Sequence, residues 1–150
     1  MKRTLMLAAA IAAMIPVFAQ AAAEDEVHAA FDKFVMAQNA HDLKAMKALL
    51  LDSPNVLLIT RGKPIWGREE ILKNLEERYK GTWLLQPDHR ELRMIPVSRR
   101  VMQVYAPVEL AMGDPGAEPA RVHAFLNLVM VKTPEGWRVA SVLPILVTPQ

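Results

Sequence analysis

The sequence predicts an α+β domain in which three helices precede an antiparallel meander of strands. Up to Gly81 the apolar residues recur at helical spacing, and beyond it they alternate with period two. Between these regimes lies the stretch from Thr60 to Ile71, Thr-Arg-Gly-Lys-Pro-Ile-Trp-Gly-Arg-Glu-Glu-Ile, where a strand, a tight turn, a second short strand and a helix start follow without spare residues. Gly62 can take a positive φ, and Pro64 presets φ at the return to extended chain. Gly67 opens a helix whose first turn carries Glu69 and Glu70, where the helix dipole is positive. Trp66 is thereby held beside a helix mouth, placed either to plug a core or to wall a pocket.

The elements follow in order. From Glu24 to Gln38, the residues Val27, Phe31, Phe34 and Val35 fall on one helical face behind the acidic run Glu24 to Glu26. Asn39-Ala40-His41-Asp42 breaks that helix, with His41 expected to be exposed. Asp42 caps a second helix that buries Leu43, Met46, Leu49 and Leu50 before Asp52-Ser53-Pro54 ends it. Val56 to Thr60 is strand-like, and the third helix shows Ile71, Leu72, Leu75 and Tyr79 on one side, with Gly81 as its stop. A short extended piece at Trp83 to Leu85 leads into four strands: Glu91 to Val97, Val101 to Met112, Arg121 to Lys132 and Trp137 to Val147. Turn chemistry separates them at Ser98-Arg99-Arg100, Gly113 to Gly116 and Thr133 to Gly136. Pro107 cannot donate to a ladder, which predicts an edge strand or a bulge at that point.

Lys2-Arg3 precede an apolar run from Leu5 to Phe18 that ends in the small-residue patterns Ala19-Gln20-Ala21 and Ala21-Ala22-Ala23. This is the pattern of a secretory signal peptide, residues 1–23, cleaved after Ala21 or Ala23, because the run is shorter than the ~20 residues of a spanning helix. The expected location is periplasmic or secreted, with no membrane attachment after cleavage. The 18 basic residues, less Lys2 and Arg3, balance the 16 acidic ones, so Arg99-Arg100 and Lys44/Lys47 read as solvated surface and no nucleic-acid partner is expected. With no cysteine there is neither a disulfide framework nor a thiol nucleophile. Residues 24–150 suit one domain with its own core.

Helix, Asn39-to-Asp42 corner, helix, short strand, Gly67-Arg68-Glu69 with Ile71 following, helix, and a meander ending in Gly136-Trp137-Arg138 together resemble the SnoaL-like branch of the nuclear transport factor 2-like superfamily. The resemblance covers residues 24–150. It implies a cone: a curved antiparallel sheet wrapped around three helices, with an apolar cavity at the open end, often in a homodimer. The superfamily includes ketosteroid isomerases, polyketide cyclases and dehydratases, so the fold alone does not set the function. The isomerase proton-transfer set does not carry over. Its general-base aspartate falls at Leu58, its oxyanion-donating tyrosine at Phe34, and its acid near Leu128 with Asn127 adjacent.

The first functional expectation is a cofactor-free domain that binds a small, largely apolar molecule walled by Trp66, Tyr79, Trp83, Tyr105 and Asn127, with Arg61 or Arg138 at the rim for an anionic group. The second is a lyase or isomerase using His123 or Asp42 as a base, with Asn127 or Tyr105 polarising a carbonyl. On the bland reading Asp42 is a helix cap, and His123 and Asn127, which share a strand face with Phe125, are an edge histidine and a satisfied asparagine. The third is a subunit role through the outer sheet face, to which Leu126, Leu128 and Met130 are assigned. Metal binding is not expected, because His28, His41, His89 and His123 lie on separate elements without His-x-x-x-His spacing. No nucleophile elbow, phosphate loop or dinucleotide fingerprint occurs.

Overall fold

The computed structural model describes residues 5–147, with side chains from residue 20 onward, so most of the expected leader lies outside the described side chains. Among the described residues the order is α1 (Leu5–Asn39), α2 (Leu43–Leu49), β1 (Leu57–Thr60), β2 (Lys63–Trp66), α3 (Arg68–Arg78), β3 (Thr82–Pro87), β4 (Arg93–Ser98), β5 (Val101–Gly113), β6 (Ala120–Thr133) and β7 (Gly136–Leu146). The fold is the expected α+β arrangement of three helices against a curved, unclosed sheet. Helix α1 starts well before Glu24 and runs through the expected cleavage boundary, in line with the alanine-rich sequence there. Among the described residues no helix is long and apolar enough to cross a membrane.

The strands lie in the order β2-β1-β7-β6-β5-β3, with β4 also pairing with β5. Among the described residues the named strands pair antiparallel, except for the short parallel contact of Leu57 and Leu58 with Ser141 and Val142, and Leu50 adds an isolated parallel bridge to Val139. Register shifts at Pro96/Ser98 and at Val129/Met130 insert bulges that bend the sheet around the helices. Pro107 is neither on an edge strand nor at a bulge, because β5 is flanked on both sides. It lies where the partner on one side changes, since β3 pairs up to Val108 and β4 begins at Tyr105. The missing N–H therefore leaves no ladder bond unmade, and the Pro107 carbonyl accepts from Asp88 N at 2.8 Å.

Even-numbered residues of β5 and β6, including Val104, Ala106, Leu126, Leu128 and Met130, face Val27, Phe31, Phe34, Met46, Ile71 and Leu75 of the helices. This reverses the expected faces of β6. Leu126, Leu128 and Met130 are core, whereas Phe125 on the opposite face is 36% exposed. Glu26 does not serve an N-terminal first turn. Its carboxylate accepts from Trp137 Nε1 at 2.9 Å and from Lys132 Nζ, tying α1 to β7 and β6. The Lys132 ammonium first, then the indole, holds its pKa below the ordinary carboxylate range.

In the central stretch, Arg61 (φ 49°) and Gly62 (φ 74°) both take positive φ, the pattern of a type I′ hairpin turn with Thr60 facing Lys63. Gly67 caps α3 at φ 87°, ψ 141°, and its N–H donates to Val56 O at 2.9 Å. A Cβ there would meet nothing closer than Pro54 O at 3.8 Å, so backbone conformation alone demands glycine. Replacing Gly67 by Val should therefore destabilise the fold by about 2 kcal/mol. Asp42→Ala, which deletes only the 2.9 Å bond from Ala45 N to Asp42 Oδ1, should cost about 1 kcal/mol. Urea unfolding of the two variants decides, and a Gly67→Val midpoint equal to the parent's would overturn the assignment.

Candidate functional site

The site grows from the end of α1. Gln38 follows Phe31 and Phe34 on the buried stripe, and its Oε1 accepts from Tyr79 Oη at 2.8 Å and from Trp83 Nε1 at 3.0 Å. Asn39 then gives both halves of its amide to one residue of β3: Nδ2 donates to Leu85 O at 2.9 Å, and Oδ1 accepts from Leu85 N at 2.7 Å. His41 is not the exposed residue expected. At φ 54° its ring stacks on Tyr79 at 4.5 Å and its Nε2 lies 3.1 Å from Trp83 O, where the Nε2–H tautomer donates. Burial pushes the Tyr79 hydroxyl well above its ordinary range and keeps it a neutral donor.

Beyond this corner is an apolar chamber of about 140 Å³ between α1, α3 and the sheet, lined among others by Phe34, Leu58, Leu75, Leu85, Leu110, Leu126 and Val142. Its polar lining comes from Gln38, Thr60, Arg61 and Arg78, and among its lining residues there is no carboxylate or imidazole. A more polar vestibule of about 460 Å³ adjoins it, bordered by Lys63, Asn74, Glu77, Gly81 and Asp114. Thr60, Arg61, Arg78, Trp83 and Met112 border both spaces and form the neck between them. The vestibule wall is tight, since a Cβ on Gly81 would lie 2.1 Å from Gly113 O.

Arg78 is the distinctive group of the neck. Its guanidinium sits 4.6 Å over the Trp83 ring and donates to Thr60 Oγ1 and, at 3.4 Å, to Asn74 Oδ1. Among the described residues no carboxylate lies within ion-pair distance of it, or of Arg61. Burial, and then the neighbouring Arg61 charge, draws its pKa below the ordinary arginine value.

Of the residues singled out in the sequence, Trp83 and Arg61 line the chamber, and Tyr79 braces Gln38 from behind. Trp66 does not wall it. The side chain on edge strand β2 points opposite to core-packed Ile65 and is 55% exposed. Tyr105, His123 and Asn127 lie on the outer sheet face, with Tyr105 stacked on Phe125 at 5.6 Å. Asp42 is the exposed cap of α2 and His123 is an exposed strand residue, so the two expected bases do not converge on the chamber. Arg138 lines neither space; its guanidinium donates to the Glu135 carbonyl of the β6–β7 turn and to the Trp137 carbonyl of β7. Phe34 and Leu58, which the resemblance sets at the isomerase tyrosine and aspartate positions, line the chamber, and Leu128 is fully buried. Sequence reasoning missed Gln38 and Arg78, although Gln38 follows Phe34 by one turn on the same face.

Residues 27–142 match the SnoaL-like domain model, and the chain belongs to that family. No curated protein sequence matches it. Among solved structures it is similar to a nuclear transport factor 2-like superfamily protein from Salmonella enterica serovar Typhimurium (TM-score 0.77, 15% identity, covering 87% of this chain and 95% of that one). It is also similar to a cystatin-like-fold protein from Caulobacter vibrioides (0.70, 16%, 83% and 89%). A third similar structure is a nuclear transport factor 2-like protein from Cytophaga hutchinsonii (0.69, 14%, 82% and 97%). At these identities the likeness shows the fold alone.

Gln38→Leu should strand the Tyr79 hydroxyl and Trp83 indole without an acceptor and destabilise the domain by about 2 kcal/mol, against about 1 kcal/mol for Tyr79→Phe. In the double variant the losses should fall short of additive, because Tyr79→Phe then has no bond left to remove. Additive urea-unfolding energies would show that the shared acceptor does not couple the two residues.

Proposed function

We propose that this SnoaL-like domain binds a small, largely apolar molecule that places an anionic group, such as a carboxylate, at the neck of the cone. The observation that carries this reading is Arg78, a part-buried cation with neutral partners only, set between an apolar chamber and an open vestibule. A buried charge without a counter-charge is costly, and an anion entering from the vestibule relieves that cost through charge-assisted bonds. The volume limits the apolar part. A chamber of about 140 Å³ is close to the roughly 150 Å³ apolar cavity known to take benzene, so it suits about six carbons. The lining supports binding over proton transfer, because it offers neither a carboxylate nor an imidazole to a substrate atom. The leader-like N-terminus supports a periplasmic or secreted setting.

A second copy of the chain is the partner this reading adds. Pro107, Phe125 and Ile145 form one row across β5, β6 and β7, next to Tyr105, Asn127 and Leu143. The row leaves Phe125 36% and Ile145 58% exposed on the outer face, an apolar strip suited to a self-complementary contact. Phe125→Asp should convert a dimer to a monomer in sedimentation equilibrium, whereas a parent protein that is monomeric at every concentration refutes the dimer and leaves the cavity reading untouched.

The ligand class is checked with 3-phenylpropionate and its neutral counterpart 3-phenylpropanol, following the Trp83 indole N–H by nitrogen-15 correlation spectra. The carboxylate should bind about tenfold to a hundredfold more tightly than the alcohol, the range expected for bonds to a charged group. Arg78→Met, which keeps an unbranched chain on the Trp83 ring, should abolish that preference. Binding of the alcohol alone would refute the anion, and binding of neither would refute the cavity reading itself.

A further inference from the structure

We propose that His28, Asp32 and His89 form a binding site for a divalent transition metal, with zinc the best match to the ligand set. The site is independent of the chamber. His28 and Asp32 are four residues apart on α1 and so share a face, the His-x-x-x-Asp spacing that a search for histidine pairs alone passes over. His89 arrives from the turn between β3 and β4. The three ligand atoms lie within 4.8 Å of one another.

Asp32 stands between the two imidazoles and turns one oxygen to each. Oδ2 is 3.2 Å from His28 Nδ1, and Oδ1 is 4.0 Å from His89 Nδ1. Zinc bonds of about 2.0–2.2 Å in a tetrahedral shell place neighbouring ligand atoms roughly 3.3 Å apart. The 3.2 Å and 4.0 Å distances use different carboxylate oxygens. With one ligand atom from each residue the three lie within 4.8 Å, so the longest edge closes by at most about 1.5 Å through rotation of part-exposed side chains. The side chains of His28, Asp32 and His89 are 46%, 42% and 54% exposed, so the fourth position faces solvent and would hold water.

The turn that presents His89 is fixed without a metal. Asp88 N donates to Pro107 O at 2.8 Å, Glu91 N to Asp88 O at 3.2 Å, and Arg90 forks onto Asp88 through Nε at 3.0 Å and Nη2 at 2.7 Å. That fork occupies Arg90, the cation beside His89, and leaves the Asp32 carboxylate facing the two imidazoles. A bound ion would pin α1 to the β3–β4 turn. Two nitrogens and one carboxylate oxygen favour zinc, nickel or copper over magnesium and calcium, which prefer all-oxygen shells.

The test is calorimetric titration of ZnCl2 into the untagged, metal-stripped protein at pH 7.5, with MgCl2 as a parallel arm. One zinc per chain should bind with no heat from magnesium. Affinity should fall at least tenfold at pH 5.5, because both imidazoles must be neutral to ligate. His28→Ala and His89→Ala should each weaken zinc at least tenfold, and His123→Ala should not. His89→Gln, in an exposed turn, serves as the second variant, with far-ultraviolet circular dichroism verifying the fold. Absence of zinc binding, or an isotherm unchanged in the His28 and His89 variants, would overturn the site.

Discussion

The structure depends on how the outer edge of β3 is satisfied. An open sheet leaves edge groups that must bond to something, and an exposed edge invites pairing with other chains. Here the end of α1 takes the place of a further strand. Asn39 pairs with both backbone groups of Leu85, and His41 bonds the Trp83 carbonyl. The constraint reaches back into the helix, because the chain must leave α1 in a left-handed step at His41 and α2 must restart at the Asp42 cap. It also reaches forward, because β3 held at this height brings Trp83 and Tyr79 within reach of the single acceptor Gln38. One polar corner therefore sets the spacing between helix and sheet, and the chamber is the space left between them.

Filling that space with apolar side chains would be the simpler solution, and Phe34, Leu58 and Leu126 go part of the way. The β1–β2 hairpin borders the chamber at the neck, and its type I′ turn puts Arg61 in the left-handed region. Asparagine suits that position better, so an arginine held there by Thr60 and Lys63 pairing is a local departure from turn preference. Such departures persist where surrounding structure fixes them, and this one brings a second cation to the neck beside Arg78.

Element types were legible because the periods were clear: a helical stripe at Val27, Phe31 and Phe34, alternation in β5, and glycine turns at Gly62 and Gly136. The faces of β6 were not legible from its own residues. Phe125, Val129 and Val131 on one face are as apolar as Leu126, Leu128 and Met130 on the other, so parity carries no information about which side is buried. The strand β5 resolves it, since Gln103, Tyr105 and Glu109 mark its outer face and the register with β6 transfers that choice. The chamber lining was legible only where aromatic residues flagged it, as at Trp83. Gln38 and Arg78 are polar residues within helical stripes, and their importance comes from partners more than fifteen residues away, Tyr79, Trp83 and Thr60. Trp66 failed for the opposite reason: a large aromatic residue on a short edge strand has one face to bury and can just as well remain outside.

Two arginines show how the same residue type is put to different use within a few turns of helix. Arg68, at the start of α3, has a side chain only 19% exposed and lies 3.0 Å from Asp52 and 3.6 Å from Glu69, so its charge is compensated within the fold. Arg78, at the end of the same helix, has neutral partners in Thr60 and Asn74 and a ring face in Trp83. If its role were only to close the neck, a carboxylate within ion-pair reach would complete it as Asp52 completes Arg68, yet Asp114 borders the vestibule without pairing with it. Glu77 borders the same vestibule but is bonded to Lys80 at 2.7 Å. An anion can thus be accepted at Arg78 without breaking an existing ion pair, whereas at Arg68 it would have to displace two carboxylates. The two arginines differ in the charge that their neighbours supply, and the proposed ligand class rests on that difference.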